Sequence, residues 1–101
     1  MARFDLLALP DGQGYVVDVQ SDHASARLRT RVVVPLVPLD ALGPPIKDLN
    51  PVVRIDGGDY AFVAQSLATL TTSEMGERIG SLMADHGDRF VYALDILLTG
   101  F

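Results

Sequence analysis

The sequence predicts a mainly β protein, an antiparallel sheet followed by one C-terminal α-helix. Three observations predict it. Short runs rich in β-branched residues alternate with Pro, Gly and Asp clusters up to residue 64, the pattern of strands joined by turns. Helical spacing of apolar residues is strongest at the end, at Phe90, Ala93, Leu94 and Leu97. Of the 101 residues, 49% are hydrophobic and 21% charged, so a core can form and disorder is disfavoured.

Taken in order, Arg3 to Leu9 is a short apolar run, and Pro10-Asp11-Gly12-Gln13-Gly14 supplies turn dihedrals that other residues adopt only at a cost. Tyr15 to Gln20 returns with β-branched residues, so the two runs read as a hairpin. Residues 21–27 are small and polar and read as an exposed loop. Arg31 to Val37 is the strongest strand, because three consecutive valines suit a strand buried on both faces. Pro35 cannot donate to a ladder, so the strand needs a bulge, an end or an edge there. Pro38 and Gly43-Pro44-Pro45 mark a second long loop. Val52 to Ile55 is a strand, residues 56–59 a turn, and Tyr60 to Ala64 the return, with Val53 and Ile55 on one face and Arg54 on the other.

After Leu70 the pattern changes. Ile79, Leu82 and Met83 stand at i, i+3, i+4 and predict a short helical segment, on which Glu74 and Arg78 would pair at i, i+4. Asp85 reads as the N-cap of the last helix. That helix carries the Phe90, Ala93, Leu94, Leu97 stripe, is flanked by Val91 and Leu98, and stops at Gly100.

Eight basic and thirteen acidic side chains leave a net charge of −5, which disfavours generic binding to phosphate backbones. With no cysteine, disulfides, thiolate metal sites and thiol nucleophiles are excluded. No apolar run approaches the ~20 residues of a membrane span. Asp5 stands where a signal peptide needs apolar residues, so the expected location is the cytoplasm.

Catalytic chemistry is weakly signalled. His23 follows Ser21 and Asp22, but a nucleophile, base and orienting acid must converge through space, and adjacent residues point apart. His86 reads as a surface residue at the helix start. Asp11, Asp18, Asp22, Asp56 and Asp59 match no calcium-loop spacing, and Gly12-Gln13-Gly14 is too short for a phosphate-binding fingerprint. The C-terminus is more distinctive. Ile96, Leu97 and Leu98 are consecutive, and each helical step rotates by about 100°. They cannot all face the sheet, so a wrapping sheet, a second copy or a docked partner must meet the remainder.

Three stretches carry a resemblance: Val17-Asp18-Val19-Gln20-Ser21-Asp22, Arg31-Val32-Val33-Val34-Pro35-Leu36, and Leu49-Asn50-Pro51-Val52-Val53-Arg54-Ile55. With the length and a helix ending in Gly100 plus one apolar residue, the chain resembles the CcdB family of plasmid and chromosomal toxins. The resemblance covers nearly the whole chain and implies a single toxin domain over residues 1–101. The implied fold is an SH3-like barrel of the CcdB/MazF type, an antiparallel sheet with a C-terminal helix. It also implies a homodimer and a CcdA-like antitoxin whose disordered tail folds on the toxin. The implied target is the GyrA subunit of DNA gyrase, trapped while it holds cleaved DNA. The chain would act by binding and not as an enzyme, with no cofactor, no metal and no direct contact with nucleic acid or membrane. The family's gyrase-binding positions fall here on His23, Ala24, Asp95, Leu98, Thr99, Gly100 and Phe101. Only Gly100 keeps the family residue, and Thr99 stands in place of a Trp whose ring stacks on a gyrase arginine. Two alternatives accompany this reading. One is a family member that binds antitoxin but no longer poisons gyrase. The other is a MazF-like endoribonuclease, with Arg27, Arg29 and Arg31 as its basic cleft.

Overall fold

A computed structural model describes residues 1–100. In chain order the elements are β1 (Asp5–Ala8), β2 (Tyr15–Asp18), α1 (Asp22–Ser25), β3 (Thr30–Pro38), α2 (Leu39–Leu42), β4 (Val52–Ile55), β5 (Gly58–Phe62), β6 (Ala68–Thr71), β7 (Arg78–Ser81) and α3 (Met83–Thr99). The strands form one curled antiparallel sheet in the order β4-β5-β3-β2-β1-β7, with β6 also paired to β3.

Strand β3 organises the sheet. On one side it pairs with β2, from Tyr15↔Leu36 to Asp18↔Val33. On the other side its first half pairs with β6 and its last three residues with β5. Pro35 sits where the neighbour changes from one strand to the other, and its carbonyl accepts from the Val63 N–H at 3.1 Å. The expected interruption is thus a change of partner. Strands β4 and β5 form the expected hairpin through Asp56 and Gly57, both at positive φ (49° and 81°), the conformation that a two-residue hairpin turn requires. Val53 and Ile55 are buried and Arg54 is exposed, as alternation predicts.

Three local expectations are corrected. Residues 21–27 are not simply a loop: Asp22–Ser25 form one helical turn, with the Ser21 hydroxyl accepting from the Ala24 N–H at 3.2 Å. Ile79 to Met83 do not form a helical segment. Arg78–Ser81 is strand β7 on the open edge of β1, paired Asp5↔Ser81 and Leu6↔Gly80. The i, i+4 pairing of Glu74 with Arg78 therefore does not arise, and Arg78 binds Asp5 instead. Leu82 donates its N–H to the Phe4 carbonyl at 2.9 Å. Helix α3 can start only after that bond, so Leu82 occupies the N-cap position and Asp85 lies in the first turn. Gly76 is what lets the segment before β7 close on β1, because a Cβ there would lie 2.1 Å from the Ala8 carbonyl oxygen.

The sheet buries residues on both faces. The larger core lies under α3 and includes Leu6, Val17, Val34, Phe62 and Phe90. Phe90 is fully buried, stacked on Phe62 at 4.1 Å between ring centroids and edge-on to Phe4 at 5.5 Å. Phe4 holds this place at φ 67°, a costly conformation for a bulky residue. The opposite face carries a smaller cluster of Leu7, Val16, Val33 and Met75. The consecutive Val33 and Val34 therefore belong to one core each.

A row of charge crosses the second face. Asp5 and Asp18 follow the Leu6↔Val17 pair of β1 and β2, and both are buried. Arg78 from β7 reaches Asp5 at 2.9 Å, and Arg31 from β3 reaches Asp18 at 3.0 Å. Burial works to raise the Asp5 carboxyl, but Arg78 and the Ala2 N–H outweigh it, and the net position is below the ordinary value of 3.8. Burial raises Asp18 above 3.8, because the Gln20 N–H and Arg31 offset it only in part and Asp5 adds repulsion.

Mutation and acid titration test this row. Arg31→Leu leaves a buried carboxylate unpaired and should cost about 3–5 kcal/mol in urea unfolding, whereas Asp18→Val with Arg31→Leu should recover most of it. The pH dependence should separate the two acids by sign. Asp5, with its folded value depressed, contributes stability above pH 3.8 that is lost as pH falls through the folded value. Asp18, with its folded value raised, favours the folded state below 3.8 and loses that contribution as pH rises through its folded value. Unfolding curves of Asp18→Asn and Asp5→Asn across the acid range check this: the first should remove a gain in stability on acidification, the second a loss.

Candidate functional site

Two surfaces are candidates: the far end of α3 and a groove on the second face of the sheet. The aromatic cluster at Phe90 fixes the line of α3, so Ala93 and Leu94 also face the core. The next turn runs past the sheet. Ile96 and Leu97 are half-buried, while Leu98 is 69% exposed, the most exposed large apolar residue among the described residues. The three consecutive apolar residues thus divide as the rotation requires. Asp95 and Thr99 are exposed, and Gly100 ends the helix at φ 83°. The Thr99 hydroxyl donates to the Asp95 carbonyl at 2.6 Å, so it is engaged by its own helix. Phe101 lies outside the described residues.

The other predicted positions are on α1, where His23 is exposed and Ala24 half-buried. Asp22 accepts from the Arg3 N–H at 2.9 Å, which ties α1 to the chain beside Phe4 and hence to the Phe90 region of α3. Leu98 lies eight residues further along, about 12 Å at helical rise. The two groups belong to different elements of the chain.

His86 has a packing role. Its ring stacks on Phe90 and meets the Arg89 guanidinium, which also donates to the Val52 carbonyl at 2.9 Å. Burial and then the Arg89 charge lower its pKa. Of the three arginines considered for an RNA cleft, Arg27 and Arg29 are exposed, while Arg31 is half-buried and paired with Asp18. Among the described residues no cluster of three His, Cys, Asp or Glu is placed to hold a metal. Among them, too, no helix is long and apolar enough to cross a membrane.

No apolar periodicity in the sequence marks the groove. It measures about 440 Å³, with Val16, Val33 and Pro35 among its floor residues, Ala68 and Leu70 on the β6 side, and Leu9 on the other. Glu74 stands at its rim. One carboxylate oxygen of Glu74 accepts from both the N–H and the hydroxyl of Thr71, each at 2.8 Å. These two donors lower its pKa, so the rim carries a fixed negative charge. Thr71-Thr72-Ser73-Glu74 has capping-box spacing, the one signal that would have located this residue. Beyond Leu9, Gln13 and Pro35 the groove continues into a second hollow lined by Tyr15 and Tyr60, whose rings meet edge to face at 5.5 Å.

The helix end should be separable from the core by mutation. Leu98→Ser should change unfolding free energy by less than about 0.5 kcal/mol, as for a surface position. Phe90→Ala should cost about 3–5 kcal/mol.

Comparison with known proteins places this geometry. The family model described as CcdB protein matches residues 3–100. A search of curated proteins finds no match. Among solved structures, an endoribonuclease in complex with its cognate antitoxin from mycobacterial species superposes with a TM-score of 0.78 at 16% identity, covering 98% of this chain and 95% of that chain. A second mycobacterial endoribonuclease gives 0.78 at 15% identity, over 98% and 91%. The Mycobacterium tuberculosis toxin MazF-mt6 gives 0.70 at 15% identity, over 92% and 93%. At these identities the likeness is one of fold.

Proposed function

The chain belongs to the CcdB family, and from that premise we propose that this toxin of a toxin–antitoxin pair acts on the GyrA subunit of DNA gyrase by binding, without breaking a bond itself. The observation that carries the reading is Leu98, an apolar side chain 69% exposed at the end of the C-terminal helix, one turn past Ala93 and Leu94, which are buried in the core. An exposed apolar tip stabilises nothing within its own subunit and gains by burial against a partner. The toxin favours the DNA-cleaved state of gyrase over the closed state because it binds the former better, and the population shifts accordingly. A homodimer presents the tip twice, with His23, Ala24, Asp95, Thr99, Gly100 and Phe101 as the remaining contact positions. A CcdA-like antitoxin releases the target by covering overlapping surface, and a disordered segment suits a long wrapped contact. The mycobacterial neighbour bound to its cognate antitoxin supports a partner of this kind. The pairing of Arg31 with Asp18 supports binding over RNA cleavage, since it removes one cation from the basic cleft that cleavage would use.

Purified protein mixed with gyrase, ATP and supercoiled plasmid should accumulate linear DNA after denaturation of the complex. Leu98→Asp should require roughly 10- to 100-fold more protein, the equivalent of losing a buried leucine contact. No cleaved DNA at saturating protein would overturn the gyrase reading, and sedimentation of the free protein as a monomer would overturn the dimer.

A further inference from the structure

The groove over β2, β3 and β6 lies on the face of the sheet opposite α3, so the helix does not cover it. Its lining is mainly apolar, with Val16, Val33 and Pro35 in the floor and Leu9 and Leu70 at the sides, and Gln13, Ser66 and Glu74 are its polar members. Ala68 and Leu70 stand two apart on β6, and Val33 pairs with Ala68, so the floor is a pleated surface with side chains at strand spacing. Strand β6 pairs with β3 alone among the described strands, which leaves its outer edge open for backbone pairing. The length of the hollow, from Glu74 past Leu9 to Tyr60, suits an extended polypeptide better than a compact ligand.

Charge decides what kind of segment fits. Glu74 is immobilised through one oxygen by Thr71, and among the described residues its second oxygen has no partner. Glu74 is exposed, so a cation seated on it gains only the modest energy of a surface pair, but a carboxylate already held in place loses little freedom in forming that pair. The chain as a whole carries −5, so its field favours a basic partner and repels an acidic one. The apolar walls call for alternating Leu, Val or Ile on the same segment.

We propose that this groove holds an extended segment of the antitoxin, apolar at alternate positions, with one Lys or Arg seated on Glu74. The inference rests on the reading of the chain as a toxin with an antitoxin partner, but not on gyrase. Glu74 is the specificity determinant: it selects a basic antitoxin segment over an acidic one of equal hydrophobicity.

The test is selection of random 12-residue peptides displayed on phage against the full-length protein and against Glu74→Gln and Glu74→Lys, with circular dichroism to verify folding. The wild-type protein should enrich peptides with alternating apolar residues and one Lys or Arg. Amide shifts on binding should map to Leu9, Val16, Val33 and Leu70. Glu74→Gln should weaken such peptides about two- to fivefold, and Glu74→Lys should turn the preference toward Asp or Glu. Ala68→Trp, at an exposed wall position, should abolish binding while leaving the fold intact. Enrichment with no basic preference, an identical preference in Glu74→Lys, or no peptide bound in the groove would each overturn the proposal. Selection requires no gyrase, so a protein that fails to trap cleaved DNA yet shows the Glu74-dependent preference separates the two readings.

Discussion

The stack of Phe90 on Phe62, with Phe4 against its edge, is the contact on which the rest of the molecule depends. It brings together the first residues of the chain, the return strand of the second hairpin and the C-terminal helix. The ring is fully buried, and such burial is worth about 1.5–3 kcal/mol by area alone, with more from the ring geometry. Holding α3 at this point sets the helix axis. The following turn then covers the core with Ala93 and Leu94, and the turn after that leaves Leu98 exposed. The exposed tip is a consequence of where the helix is clamped and of its length. Phe4 adopts a left-handed backbone to take part, and its carbonyl fixes the start of α3 through Leu82. The same residue thus determines both where the helix begins and how it packs.

With α3 on one face, the other face of the sheet carries a different load. Its interior is the small Leu7, Val16, Val33, Met75 cluster, bounded at one end by the paired charges of Asp5, Asp18, Arg31 and Arg78. Neither pair is strong evidence of stability: desolvation consumes much of the attraction in the buried Arg31–Asp18 pair, and the Arg78 side chain is largely exposed to solvent. These pairs do impose register. Asp5 and Asp18 lie beside each other on β1 and β2, and each needs an arginine from the outer neighbour, β7 or β3. A strand slipped by one residue would move its carboxylate to the apolar face under α3. At the end away from the charges the face opens into the groove, where fixed Glu74 stands beside an apolar wall.

Much of the sheet was legible. The hairpin about Pro10–Gly14, the two-face burial of the valine strand, the Asp56-Gly57 turn and the C-terminal stripe all follow from residues adjacent in sequence. Two of the errors, at residues 79–83 and at Asp85, have one origin. Ile79, Leu82 and Met83 have helical spacing, yet Ile79 is in a strand because β1 offers it an open edge and Asp5 offers Arg78 a partner 73 positions away. Asp85 is a good cap in isolation, but the Phe4 carbonyl claims the Leu82 N–H and moves the start of the helix. Strand β6 was missed because Ala68–Thr71 is short and mostly exposed, without the apolar alternation that marks a strand. Of the candidate site, the helix end was readable from three consecutive apolar residues. The groove was not, although the Thr71 to Glu74 spacing was present.

By itself the sequence determined the mainly β class, the C-terminal helix with its stop at Gly100, and membership in a toxin family. These rest on local periodicity, turn chemistry and motifs that survive without neighbours. Only the tertiary structure decided that Arg31 is bound to Asp18 and not offered to a ligand, that Leu98 projects while Leu94 is covered, and that Glu74 guards an apolar groove. Each of these depends on which distant strand lies alongside. Pairing across a sheet joins residues whose separation along the chain carries no periodic signature, so the physics that places them begins only once the chain has closed on itself.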